Sequence, residues 1–255
     1  MASCLTFGVT AAIAGDAPSK PPTAAQWAAL AKLPDWSGVW EVDWRGRHPK
    51  DASPRNGGPA GMLPPNLKLK PKYEAMAKAF QAAKKQGENV QSEAANCVPP
   101  GLPGIMTQPY PIEFLYSPGK VVILIEAYMQ FRHIYTDGRK HEDDPDPTFM
   151  GDSIGHWEGD TLVVDSVGFN DVVQIAPGVP HSDKLHIIER IRKADPEWME
   201  IQTTLDDPEV LEKPYTSTAW YHHLNDHIRE YICVENNHDS TDDKGRPGFS
   251  TEDQK

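Results

Sequence analysis

The sequence predicts a mainly β fold, an antiparallel barrel with two short N-terminal helices, on three observations. About nine short segments of alternating apolar and polar residues follow one another between residues 112 and 235. Turn-favouring residues separate them, among them Ser117-Pro118-Gly119, Asp137-Gly138, Glu158-Gly159-Asp160 and Ala194-Asp195-Pro196. The 255 residues include 19 glycines and 24 prolines, which disfavours long helices. About ten strands left as an open sheet would expose two unpaired edges, so the meander is expected to close around a cavity.

Taken in order, residues 5–15 are small and apolar and run through Ala14-Gly15-Asp16-Ala17 into Pro18, as the tail of a secretory leader does, although no Lys or Arg precedes them. Residues 1–17 are therefore expected to be a leader remnant, and the protein to be periplasmic or secreted. Within an N-terminal helix and linker at 18–34, Thr23 and Gln26 have capping-box spacing and Trp27, Leu30 and Ala31 share a helical face. A single barrel domain is expected over 35–238. Its first strand opens at Trp36 and places Trp40, Val42 and Trp44 on one side. Residues 45–66 carry no periodicity and predict a long loop. A helical insertion over 71–87 aligns Tyr73, Met76, Ala77 and Phe80. The later strands are expected at 112–117, 121–128, 130–136, 153–158, 161–167, 184–193, 197–205, 215–223 and 227–235. Polar composition predicts a disordered tail at 239–255.

A net charge of −12 argues against nucleic acid as a partner. The longest apolar run, Val121 to Ile125, has a strand's length, and no membrane span is expected. Removal of a leader would take Cys4 and leave Cys97 and Cys233, either as a disulfide or as two buried thiols.

No phosphate loop, nucleophile elbow, HExxH or paired CxxC is present, so no cofactor is expected. Polar residues in phase with apolar ones are the remaining candidates for chemistry, because a buried charge costs several kcal/mol unless it is paired or used. Glu189 is in phase with Leu185, Ile187 and Ile191, while His186, Arg190 and Arg192 face the other way. Glu126 alternates with Val122, Leu124 and Tyr128, and Arg132 with Gln130 and Ile134 one strand later, where a hairpin would let Arg132 reach Glu126. Inward carboxylates supply a general base of raised pKa or ligate a cation; the alternative is that each is the structural partner of an arginine such as Arg132 or Arg229. Tyr231 shares a face with Arg229 and Cys233, where its phenol would meet a substrate oxygen. Among ten histidines, His222, His223 and His227 are poorly spaced for a metal and His141 lies in an acidic loop, so no metal site is expected. His181, in Pro180-His181-Ser182-Asp183, is the candidate loop base.

The segments Asn96-Cys97-Val98-Pro99-Pro100-Gly101, Gly155-His156-Trp157-Glu158-Gly159-Asp160-Thr161-Leu162-Val163-Val164, Gly168-Phe169-Asn170-Asp171, His181-Ser182-Asp183 and Cys233-Val234-Glu235-Asn236-Asn237 resemble a largely uncharacterised family of exported bacterial β-rich proteins. The resemblance spans about residues 35–238 and implies recurrent positions at Glu126, Arg132, Asn170, His181 and Glu189. The Trp36 to Trp44 opening resembles the first strand of lipocalin-like barrels. More loosely, the chain is similar to lyases of lignin-derived aromatic dimers.

The function expected from these readings is a cofactor-independent carbon–carbon lyase acting by deformylation or decarboxylation on a small aromatic substrate. Its catalytic set is His181, Glu189, Glu126, Arg132 and Asn170, and its substrate-binding set Tyr128, Trp157, Phe169 and Tyr231. The alternatives are a non-catalytic periplasmic carrier of small hydrophobic ligands and a metal-dependent hydrolase using His222 to His227.

Overall fold

The computed structural model describes residues 21–43, 46–48, 64, 66–86, 97–233, 239–241 and 247–249. The expected leader, Trp44 and most of the expected 45–66 loop lie outside these residues. Thr23 forms the capping box with Gln26 and opens helix α1 (Ala24–Ala29), whose Trp27 stays exposed. Helix α2 (Pro71–Lys85) begins on a proline whose missing N–H costs nothing in the first turn. Ala77 is its buried residue, while Met76 of the expected stripe is exposed.

The body is a closed barrel of nine strands: β1 (Val39–Val42), β2 (Ile112–Ser117), β3 (Lys120–Ile125), β4 (Gln130–Tyr135), β5 (Asp152–Glu158), β6 (Thr161–Val167), β9 (His186–Lys193), β10 (Trp198–Asp206) and β11 (Tyr215–Leu224). Between β6 and β9 a small hairpin, β7 (Gln174–Ala176) and β8 (Val179–Pro180), was not expected from the sequence. Phe80 of α2 packs against its Gly178. Two further short strands, β12 (Asp239–Thr241) and β13 (Pro247–Phe249), pair with each other where the sequence suggested disorder.

Around the barrel the order is β1-β11-β10-β9-β6-β5-β4-β3-β2, with β2 returning to β1. Two expectations are corrected here. The barrel is not antiparallel throughout, because β4 and β5 run parallel, joined at Tyr135 and Ile154. Parallel neighbours need a chain crossover, and the long stretch between Tyr135 and Asp152 supplies it. Residues 227–232 are not a strand. Both edges of β11 are already taken, by β10 and by β1, so the chain after Leu224 has no barrel edge to join.

The core fills the barrel with alternate residues from each strand: Ile112 and Phe114, Val121, Ile123 and Ile125, Leu162 and Val164, Ile187 and Ile191, Met199 and Ile201 are all buried. The segment leading into β2 completes it with Leu102, Ile105 and Met106. A disulfide between Cys97 and Cys233, with Cα atoms 5.6 Å apart, resolves the open choice between a bridge and free thiols.

Candidate functional site

The inward phase of the strands brings a small set of polar side chains into this core. Arg132 of β4 is in phase with Ile134, and its side chain has no exposed surface. Glu189 of β9 is in phase with Ile187 and Ile191 and is 1% exposed. Their charges meet at 2.5 Å, Arg132 Nη2 to Glu189 Oε2, a contact ion pair without the direction of a hydrogen bond. Ser153 and Ser166, opposite each other on β5 and β6, complete the cluster. Arg132 Nε donates to Ser153 Oγ at 3.3 Å and Nη2 to Ser166 Oγ at 2.9 Å, while the two hydroxyls lie 2.7 Å apart. Arg132 Nη1 is buried with no hydrogen-bond partner among the described residues.

Tyr221 of β11 closes the cluster from another side. It is buried and donates its hydroxyl to the Met106 carbonyl, tying the segment before β2 to the interior. Burial pushes its phenol well above the ordinary range, the Glu189 charge adds to that push, and Arg132 opposes it. Next to Glu189 in register lie Thr203 of β10 and, opposite that, Ser217 of β11. These two and the neighbouring Ala219 face inward yet keep partial exposure, so the wall beside Glu189 is not fully packed.

The inward phase expected for Glu189 is found, and of the two sequence readings the hairpin contact of Arg132 with Glu126 is not formed, whereas the alternative, each carboxylate partnered by an arginine such as Arg132 or Arg229, is. Glu126 is not on the inner face. The buried residues of β3 are Val121, Ile123 and Ile125, and the strand ends before Glu126. A tight turn over Ala127–Met129 follows, with Tyr128 and Met129 at positive φ, and Glu126 accepts the Arg229 backbone N–H at 2.7 Å. The misreading has a plain cause: five consecutive apolar residues leave no alternation to phase.

The remaining candidates form separate groups. His181 and Asn170 meet in the loops around the β7–β8 hairpin. The two ring nitrogens of His181 lie 2.9 Å from the carbonyl oxygens of Ser182 and Asn170, and Phe169 packs edge-on against the ring. Tyr128 and Tyr231 pack together, and Tyr231 also meets Tyr110. Burial and these two neighbours raise the Tyr231 phenol to about 12.

Trp157 packs on Trp36 and Tyr116. It pairs with Leu162, whereas Phe169 lies beyond Val167 at the other end of β6, roughly 16 Å or more along the strand at about 3.3 Å per residue. Trp157, Phe169 and Tyr128 thus do not converge on one small ring.

His222 faces outward beside Arg47 and Glu41, while His223 packs on Trp40. His227 is exposed beside Asp226. Among the described residues no three His, Cys, Asp or Glu side chains are grouped to hold a metal ion.

Sequence reasoning missed Ser153, Ser166 and Tyr221. Ser166 was detectable, being in phase with Leu162 and Val164 in Thr161–Val167. It also missed Asp207, a fully buried carboxylate that accepts from Ser182 N and Oγ and from the backbone N–H groups of Glu209 and Val210, and so organises the loop after β10.

Comparison of the chain with protein-family models, with curated proteins and with solved structures finds no match.

Proposed function

We propose that this protein is a cofactor-independent carbon–carbon lyase that holds a small aromatic substrate inside a lipocalin-like barrel, in a periplasmic or secreted setting. The observation that carries the reading is the buried Arg132 guanidinium, with Nη1 unpartnered among the described residues, beside the Glu189 carboxylate. A fixed cation next to a proton acceptor in an apolar interior is what a reaction that develops an oxyanion requires. The Cys97–Cys233 disulfide supports the oxidising compartment.

In the deformylation of a phenylcoumaran-type substrate, which carries a hydroxymethyl group next to a ring ether, Glu189 takes the hydroxymethyl proton and the carbon–carbon bond breaks to release formaldehyde. The electron pair opens the ring ether, and Arg132 holds the resulting phenoxide. In a decarboxylation, Arg132 orients the carboxylate and carbon dioxide leaves by the same electron flow. Glu189 is preferred as base because both His181 nitrogens already face carbonyl oxygens.

The same engagement of His181, together with mutual neutralisation of Arg132 and Glu189, favours the carrier as the second reading. The test is incubation of the purified protein with lignin-type aromatic dimers and aromatic acids, following formaldehyde, carbon dioxide and product absorbance. Turnover abolished by Glu189→Gln supports the lyase. Saturable binding without product supports the carrier, and neither binding nor product refutes both.

A further inference from the structure

The Arg132 guanidinium has five N–H donors. Nε serves Ser153, Nη2 serves Ser166 and faces Glu189, and both donors on Nη1 are without an acceptor among the described residues, in a side chain with no exposed surface. A buried donor without an acceptor is costly, so a fold that keeps one on a buried cation gains by receiving an acceptor there. The inner wall nearby supplies the rest of a binding site. Thr203 and Ser217 lie in register beside Glu189 and stay partly exposed, while Ile123, Ile134 and Val164, themselves fully buried, pack around the charges and keep their surroundings apolar.

Resting on the barrel-interior reading above, we propose that the ligand is an apolar, aromatic-type monocarboxylic acid whose carboxylate binds Arg132 Nη1 and which enters together with one proton. The second half follows from charge balance. Arg132 and Glu189 together are neutral, so a bound carboxylate leaves two negative groups around one guanidinium in an apolar interior. Two carboxylates that close do not both stay ionised, and one proton is shared between them. Binding an ionised acid from solution therefore takes up one proton, and affinity falls about tenfold per pH unit.

The probes are cinnamate and its uncharged match cinnamamide, titrated calorimetrically at pH 6, 7 and 8 in two buffers of different ionisation enthalpy. The expected result is that cinnamate binds at least about tenfold tighter than the amide, with close to one proton taken up and the tenfold loss per pH unit. Glu189→Gln is expected to bind cinnamate with no proton uptake and no pH dependence, because the acceptor of that proton is gone. Equal affinity for acid and amide, absence of proton uptake in the natural protein, or failure of both probes to bind overturns the proposal.

Ser217→Phe, with folding checked by circular dichroism, separates this outcome from failure of the underlying reading. If the aromatic dimers are still bound or cleaved and that activity is lost in Ser217→Phe, the barrel interior is the site and only the ligand class is wrong. If Ser217→Phe leaves their binding or turnover unchanged, the interior is not the site.

Discussion

Replacing Arg132 by Met removes one member of a buried ion pair and leaves the other. With charge centres about 4 Å apart and an effective dielectric constant of about 20, the lost attraction is about 4 kcal/mol. That agrees with the roughly 3–5 kcal/mol typical when one partner of a buried pair is deleted. Ser153 and Ser166 also lose their donor, but they remain within 2.7 Å of each other and keep one hydrogen bond. Against a total stability of about 5–15 kcal/mol, the single variant should unfold at a much lower urea concentration. Arg132→Met/Glu189→Met removes both charges and should recover most of the loss, giving a coupling energy of about 3 kcal/mol or more in the double-mutant cycle. The assay is equilibrium urea unfolding of the natural protein, the two single variants and the double variant. A single-variant cost under about 1 kcal/mol, or additive single costs, would refute the claim that the two charges are desolvated and mutually dependent.

The Cys97–Cys233 bridge closes a loop with a sequence separation of 136, so Cys233→Ser should cost about 2–5 kcal/mol in urea unfolding, and added reductant should then have no further effect. Gly151 sits at φ +67°, where an added Cβ would lie 2.5 Å from the Val167 carbonyl oxygen; Gly151→Ala should lose at least about 1–3 kcal/mol, read by thermal unfolding, and an unchanged midpoint would contradict the crowding. Burial, and next the Arg47 charge, hold the His222 imidazole below its ordinary range. The unfolded chain therefore binds that proton more readily, so this contribution is fully present above the ordinary imidazole value and is lost as pH falls from there through the lower folded-state value. His222→Gln should flatten the stability–pH curve between about pH 7 and 5, and an unchanged slope would remove His222 as its source.

Alternation made much of this fold legible. Where apolar and polar residues take strict turns, as in His186–Lys193, the inner face followed directly and Glu189 was found. Where a strand is apolar on both faces, as in Lys120–Ile125, phase is lost and Glu126 was misplaced. Long-range pairing was less accessible. Nothing local in residues 227–235 states that both edges of the preceding strand are occupied, because one occupant is Val39–Val42, far earlier in the chain. The parallel step between Tyr135 and Ile154 was hidden for the same reason, since an irregular connection does not declare which way its far end returns. The Arg132–Glu189 pair was partly visible: burial came from periodicity and an arginine partner from the cost of an unpaired charge, but choosing Glu189 over Glu126 for Arg132 required knowing which strands stand across the barrel.

The place of β1 in the ring bears on how the chain reaches this structure. β2 with β3 and β4, and β9 with β10 and β11, pair through nearby hairpins, whereas Val39–Val42 must find Tyr221–Leu224 across most of the sequence. Contacts between distant residues form late because their loop closure brings little return until the rest is in place. Until β1 inserts, β2 and β11 present open edges, and a β1 from a second molecule satisfies them as well as the chain's own. Concentrated refolding should therefore yield exchanged dimers, and dilution before closure should suppress them.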